Sequence, residues 1–235
     1  MTGRLHRIDT LLGDGQGEPR ELRRLTQDFR EVVDTPAFPC VFSQLPFTTG
    51  DVYLGVVPTG VEQDEAVVDL LDELTAIITA APDALAVVFV DDELPEPTLD
   101  DDFSLATSIV SRVMSRNRRD RPQTHDVSPD DPSWMLWLND VGLFLNFSSP
   151  RHRARHSRNV GSRFTVIAQA RASFDEHPRS SERVRAEIRR RVAAYDDVPV
   201  HPCLGRYGDS TSREALQFFL GDRTDAMDPT AGTAR

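Results

Sequence analysis

The chain has 235 residues, of which 39% are hydrophobic and 28% charged, with a formal net charge of -11; that is the composition of a globular protein with room for a sizeable core. No run approaches the roughly 18 apolar residues of a membrane span, the first residues lack the apolar core of a secretory signal, and two cysteines, Cys40 and Cys203, are too few for a disulfide framework. A cytoplasmic protein without a membrane partner is expected, and the acidic total argues against nonspecific binding to nucleic-acid phosphates.

Residues 1–17, rich in Gly, Asp and Gln, read as a disordered end. Leu22, Leu25, Phe29 and Val32 recur at helical spacing, and Pro19 suits a first turn, so a helix is predicted to about Val33. "TPAFPCVFSQLPF" and "DVYLGVVP" follow as two short strands, read as a candidate hairpin. Val67, Leu70, Leu71, Leu74 and Ile78 predict an amphipathic helix ending before Pro82, and the continuous apolar run "ALAVVFV" predicts a strand buried on both faces.

The acidic stretch "DDELPEPTLDDD" reads as a solvated loop, Phe103 to Arg116 as a helix, and 116–133 as a long loop. Two strands are expected around the Asn139-Asp140 turn, another over 163–170, and a helix through Val184, Ile188, Val192 and Tyr195 whose other face carries Arg183, Arg189 and Arg190. Thr211 and Glu214 match a capping box before "ALQFFLG", with Gly221 ending the helix and 222–235 a disordered tail. Strands mix with helices without strict alternation, so the fold class is α+β, a mixed or mainly antiparallel sheet flanked by helices in a single domain over 18–221.

Charge is distributed unevenly. Residues 62–102 hold fourteen acids and no arginine, whereas 151–191 hold twelve arginines against four acids. There is no P-loop, G-x-G-x-x-G, H-E-x-x-H, C-x-x-C or G-x-S-x-G, which disfavours the commonest nucleotide, zinc and hydrolase chemistries. A cofactor held through one ligand survives that exclusion. Haem needs one strong axial donor, apolar walls and cations for its propionates, and "FLNFSSPRHRARHSR" offers His152 or His156 for iron and Arg155 or Arg158 for carboxylates. Cys40 in "FPCVF", and His201 with Cys203 in "VHPCLG", are competing donors, although a cysteine in an apolar run is by default an inert core residue. The same arginine cluster also reads as a solvated basic face.

Three blocks, "FPCVF" (38–42), "FLNFSSPRHRARHSRNVGSRFTVIAQARASFD" (144–175) and "YDDVPVHPCLGRYGDSTSREALQFFL" (195–220), give the chain from Leu22 to Gly221 a sequence that resembles the YqcI/YcgG family of bacterial proteins. The resemblance implies a haem b enzyme that hydroxylates a guanidine or amine nitrogen of an arginine-like or other small amino-acid-derived substrate in natural-product biosynthesis. It would use dioxygen with an electron donor, or peroxide. His152 is the position that best matches the family's histidine, and His156 is the alternative because one insertion or deletion in "RHRARHSR" would exchange them. Asp209 and Glu214, in the third block, are candidates for a substrate guanidinium, Glu214 competing with its capping-box role.

Trp134, Trp137, Phe144 and Phe147 are candidate walls of a dry pocket. Where family members have "HP" followed by small residues and an Asn, this chain has "HRARH" and Gln169, which leaves the substrate less defined than the cofactor. Two other readings stay open: a member with diverged chemistry, such as N–N bond formation or dehydration, and a non-catalytic protein binding haem or another anion. A homodimer is also left open.

Overall fold

The computed structural model describes residues 4–13, 19–39, 44–120, 127–175 and 181–231. Six strands form one sheet: β1 (His6–Arg7), β2 (Val52–Val57), β3 (Leu85–Val90), β4 (Leu136–Leu138), β5 (Val141–Ser148) and β6 (Phe164–Ala170), in the order β1-β2-β3-β6-β5-β4. β2 and β3 run parallel and the other pairings are antiparallel, so the α+β class with a mixed, mainly antiparallel sheet holds.

β3 is buried throughout because it has helices on both sides, which is why "LAVVFV" does not alternate. Ala86, Val88 and Val90 share one core with Val67 and Leu71 of α4 (Gln63–Ala80) and with Ile109 and Val113 of α5 (Leu99–Asp120). Leu85, Val87 and Phe89 share the other with Ile8 and Leu11 of α1 (Ile8–Leu12) and with Leu22, Leu25 and Phe29 of α2 (Arg20–Val33).

Four local expectations are corrected. Within 1–17, residues 6–12 form β1 and α1, and Leu5, Ile8 and Leu11 are buried; this apolar triplet is too short to stand out against the surrounding polar residues. The end of "TPAFPCVFSQLPF" is helix, α3 (Gln44–Thr49), and β2 pairs with β1 and β3 instead; residues 40–43 lie outside the described residues. The acidic loop gives way to helix at Leu99, where Thr98 and Asp101 bond reciprocally (Thr98 N to Asp101 Oδ2, 2.8 Å; Asp101 N to Thr98 Oγ1, 3.3 Å), a capping box that starts α5 four residues earlier than predicted. α5 also runs on to Asp120.

The β4–β5 hairpin closes as expected through Asn139 and Asp140, both at positive φ (50° and 63°), the geometry of a two-residue type I′ turn. The Asn139 side chain also donates to Asp72 Oδ1 (2.7 Å) and Thr75 Oγ1 (2.9 Å) on α4, tying the hairpin to the helix layer. Asn139→Ala therefore removes two hydrogen bonds and forces alanine into a left-handed conformation, and should cost about 1–2 kcal/mol in urea unfolding. A loss below a few tenths would show that the turn is held by its neighbours alone.

Candidate functional site

On the α2 side the sheet is not fully covered. The positions of β5 and β6 that alternate with core residues, Phe144 and Asn146, Ile167 and Gln169, form the floor of a cavity of about 210 Å³. After the short α6 (Ala172–Asp175) that follows β6, α7 (Glu182–Tyr195) gives one wall through Ile188, Arg189 and Val192, and the chain from His201 to Leu220 gives another. Arg191 ties that helix to the segment after α2 by donating to the carbonyls of Pro36 and Phe38, both at 2.6 Å. The walls are largely apolar, with Phe29, Phe38 and Phe144 among them.

The charged part of the wall is mainly cationic. Arg155, Arg158, Arg171, Arg185 and Arg189 line it, against one carboxylate, Glu214, among the described residues. The helical stripe on α7 is thus only partly the solvated face predicted, since Arg189 reaches the cavity and donates to the Leu204 carbonyl (3.4 Å). Glu214 does not cap a helix: α8 (Ala215–Phe218) has no side-chain cap, and Glu214 Oε2 instead accepts from Arg171 Nε at 3.0 Å, both residues buried. The Arg171 guanidinium lies over Tyr207 (4.6 Å to the ring centroid) and Phe174 (5.5 Å), a cation–π box.

"SSPRHRARHSR" folds as a compact turn after β5, and its order comes from two aspartates far along the chain. Asp222 accepts from the backbone N–H of Arg153 (2.8 Å) and Arg155 (2.9 Å) and meets His152 Nδ1 at 3.1 Å. Burial alone would raise Asp222, but these three donors outweigh it and hold its carboxyl below the usual range. Asp196, at the end of α7, accepts from Ser157 N (2.7 Å) and Oγ (2.8 Å) and pairs with Arg155 Nη1 (3.4 Å).

His152 is 3% exposed, and its side chain is shut from solvent. Burial lowers its pKa, opposed by Asp222, so the ring is neutral at neutral pH. With the Nδ1 proton directed at Asp222, Nε2 carries the lone pair, and that atom is buried without a hydrogen-bond partner among the described residues. A neutral imidazole oriented by a carboxylate and keeping one bare nitrogen is a residue that could hold a metal or a haem iron. His152 itself stands outside the cavity lining, which Arg155 enters three residues later.

The other candidates are placed as follows. His156 is on the surface, its Nε2 2.9 Å from Asp197. His201 is in the cavity wall, but both nitrogens are engaged, Nδ1 accepting from Cys203 N (3.2 Å) and Nε2 facing the Asp225 carbonyl (3.3 Å). Cys203 is half-buried, and burial pushes its thiol up, away from thiolate. Cys40 lies outside the described residues. Arg158 lines the cavity, donating to Asn146 Oδ1 (2.5 Å) and the Gln217 carbonyl (3.1 Å).

Asp209 is exposed and binds its neighbour Thr211. Of the four aromatic wall candidates, Phe144 reaches the cavity, while Trp134 and Phe147 belong to the opposite core. Gln169 is in the floor, donating to Ser173 Oγ (2.6 Å). Among the described residues no group of three metal-ligating side chains occurs, and no helix is long and apolar enough to cross a membrane.

Burial also lowers the pKa of His201. A buried neutral histidine contributes stability that is present above its unfolded pKa of about 6.5 and is lost as pH falls toward its folded value. His152 adds in the same direction. The melting temperature should therefore drop between pH 7.5 and 5.5, and His201→Gln should flatten part of that drop. An unchanged slope in the variant would show that His201 is not the group that resists protonation.

Comparison with known proteins comes to the same stretch of chain. The YqcI/YcgG family profile matches residues 29–230. A Streptomyces lavendulae protein named "Putative N(omega)-hydroxy-L-arginine synthase DcsA" is 30% identical over 207 residues, 83% of this chain and 77% of that protein. Two Bacillus subtilis proteins of uncharacterized function, YqcI and YcgG, are each 28% identical, covering 79% and 80% of this chain and 76% and 78% of their own lengths. No solved structure matches the chain significantly.

Proposed function

The chain belongs to the YqcI/YcgG family, and from that premise we propose that it is a haem-dependent oxygenase hydroxylating a guanidine nitrogen of arginine or of a related small amino acid. The observation that carries the reading is the 30% identity, over most of both chains, to a protein named for synthesis of hydroxyarginine. What this chain adds is His152, whose bare, buried Nε2 and carboxylate-bonded Nδ1 suit an axial ligand.

Haem would supply the activation of oxygen, from dioxygen with an electron donor or from peroxide. The protein's own part is binding, orientation and exclusion of water. The apolar residues of the floor and walls, Phe144, Ile167 and Phe29 among them, lower the local dielectric and strengthen each polar contact inside. The arginines of the wall supply cations for a substrate's α-carboxylate or for propionates. For a guanidinium, the described wall offers Glu214 and the faces of Phe174 and Tyr207, which Arg171 already engages, so a substrate guanidinium reaching Glu214 would share it with Arg171.

The test is to record the visible spectrum before and after adding hemin, and then incubate the loaded protein with L-arginine and either peroxide or dioxygen plus a reductant. The expected result is a sharp Soret band and an arginine product heavier by one oxygen. A Soret band without turnover of arginine or related guanidines would leave a haem protein of other chemistry, and no stoichiometric haem would end the reading.

A further inference from the structure

We infer that Arg155 anchors a carboxylate in the cavity, its Nη2 donating to one carboxylate oxygen of the bound ligand. Arg155 is 1% exposed and belongs to the cavity lining. Its guanidinium is immobilised on three sides: Nε donates to the Gly221 carbonyl at 2.7 Å, and Nη1 meets Asp196 Oδ2 at 3.4 Å and the Pro199 carbonyl at 3.3 Å. Nη2 is buried and has no hydrogen-bond partner among the described residues. A buried cationic donor left without an acceptor is costly, and the cost disappears when a ligand supplies one.

The surroundings select the class of ligand. Arg158 and Arg171, the neighbouring buried cations, already make bonds to Asn146, Gln217 and Glu214, whereas Asp196 is the carboxylate bonded to Arg155 and is itself shared with Ser157. The wall carries five arginines and one carboxylate among the described residues; Asp196 and Glu182 reach Arg155 and Arg189 from outside the lining, and the Arg155 Nη2 is met by neither. One unspent N–H edge among apolar walls matches a single carboxylate on an aliphatic or aromatic body, rather than a polyphosphate that would need many donors. Two ligands of the proposed function carry such a group, the propionate of a haem and the α-carboxylate of an amino acid. The inference rests on that reading only for these two probes.

The experiment measures binding to the full chain of ligand pairs differing in the carboxylate: iron-free protoporphyrin IX against its dimethyl ester, by quenching of tryptophan fluorescence, and L-arginine against agmatine, by calorimetry. Omitting iron removes histidine ligation from the comparison. In the wild type, removal of the carboxylate should weaken one pair at least about tenfold, equivalent to roughly 1.4 kcal/mol, and Arg155→Gln should abolish the difference. Loss in the porphyrin pair assigns Arg155 to the cofactor, and loss in the arginine pair assigns it to the substrate.

Should Arg155→Gln fail to fold, Arg155→Lys keeps the charge while removing the fork, and the same difference should shrink. Equal binding within both pairs, or a difference that survives both substitutions, overturns the inference. If neither porphyrin nor arginine binds, the functional reading fails, and decanoate against decanol then decides the anchor alone: selective binding of decanoate that Arg155→Gln removes supports it, and anything else overturns it.

Discussion

Glu214→Ala is expected to destabilise the protein by about 3–5 kcal/mol, the cost of leaving a buried charge without its partner. The charge left behind is Arg171, whose side chain is 6% exposed beside a glutamate side chain of 1%. It cannot simply turn toward solvent, because the guanidinium is packed over Tyr207 and Phe174 and its own backbone N–H extends the sheet to the Gly142 carbonyl. Urea unfolding of Glu214→Ala, Arg171→Met and the double variant measures the effect. The double variant should recover much of the loss, since replacing both partners removes the unpaired charge along with the pair. If Glu214→Ala alone costs less than about 1 kcal/mol, within the range of an exposed ion pair, the pair is not the closed element inferred. The cavity would then have a glutamate available to a substrate guanidinium.

The same pair illustrates why the site was only partly legible in the sequence. The helices and strands came from patterns read over a dozen residues or fewer: the α4 stripe, the unbroken apolar run of β3, the Asn139-Asp140 turn. "RHRARHSR" was also visible, because its charge contrasts with the acidic total of the chain. What gives that stretch its shape is separated from it by 39 to 70 residues: Asp196 on Ser157 and Asp222 on His152, Arg153 and Arg155. No local periodicity points to either aspartate.

Thr211-Ser-Arg-Glu214 met the pattern of a capping box, yet a buried arginine 43 residues away competes for the glutamate, and a buried ion pair outweighs a cap exposed to water. Conversely, the true box at Thr98–Asp101 lay inside a stretch whose prolines and acids read as loop. Local signals located most of the long elements, though not β1, α1 or α3, while the polar contacts that build the site are long-range and were not encoded in spacing.

Asp222 is the sharpest instance, because it lies in the segment read as a disordered tail. Asp222→Ala removes the acceptor for two backbone N–H groups and for His152 Nδ1, and should cost about 2–3 kcal/mol of stability, since hydrogen bonds to a charged acceptor are worth more than neutral ones. On the proposed ligation it should also weaken hemin binding about 10–100-fold, because the carboxylate fixes the proton on Nδ1 and leaves Nε2 bare. Asp222→Asn separates the two roles. Its amide oxygen can stand where Oδ1 does, retaining His152 Nδ1 and Arg155 N, while the amide nitrogen replaces Oδ2 and gives up the bond from Arg153 N. Both variants should therefore melt lower than the wild type, but only Asp222→Ala should lose hemin affinity, as read by Soret titration at a temperature where all three are folded. Equal loss of hemin in both variants would mean that Asp222 acts through its charge or through the turn as a whole. Undiminished binding in Asp222→Ala would remove His152 from the role of axial donor oriented by this carboxylate.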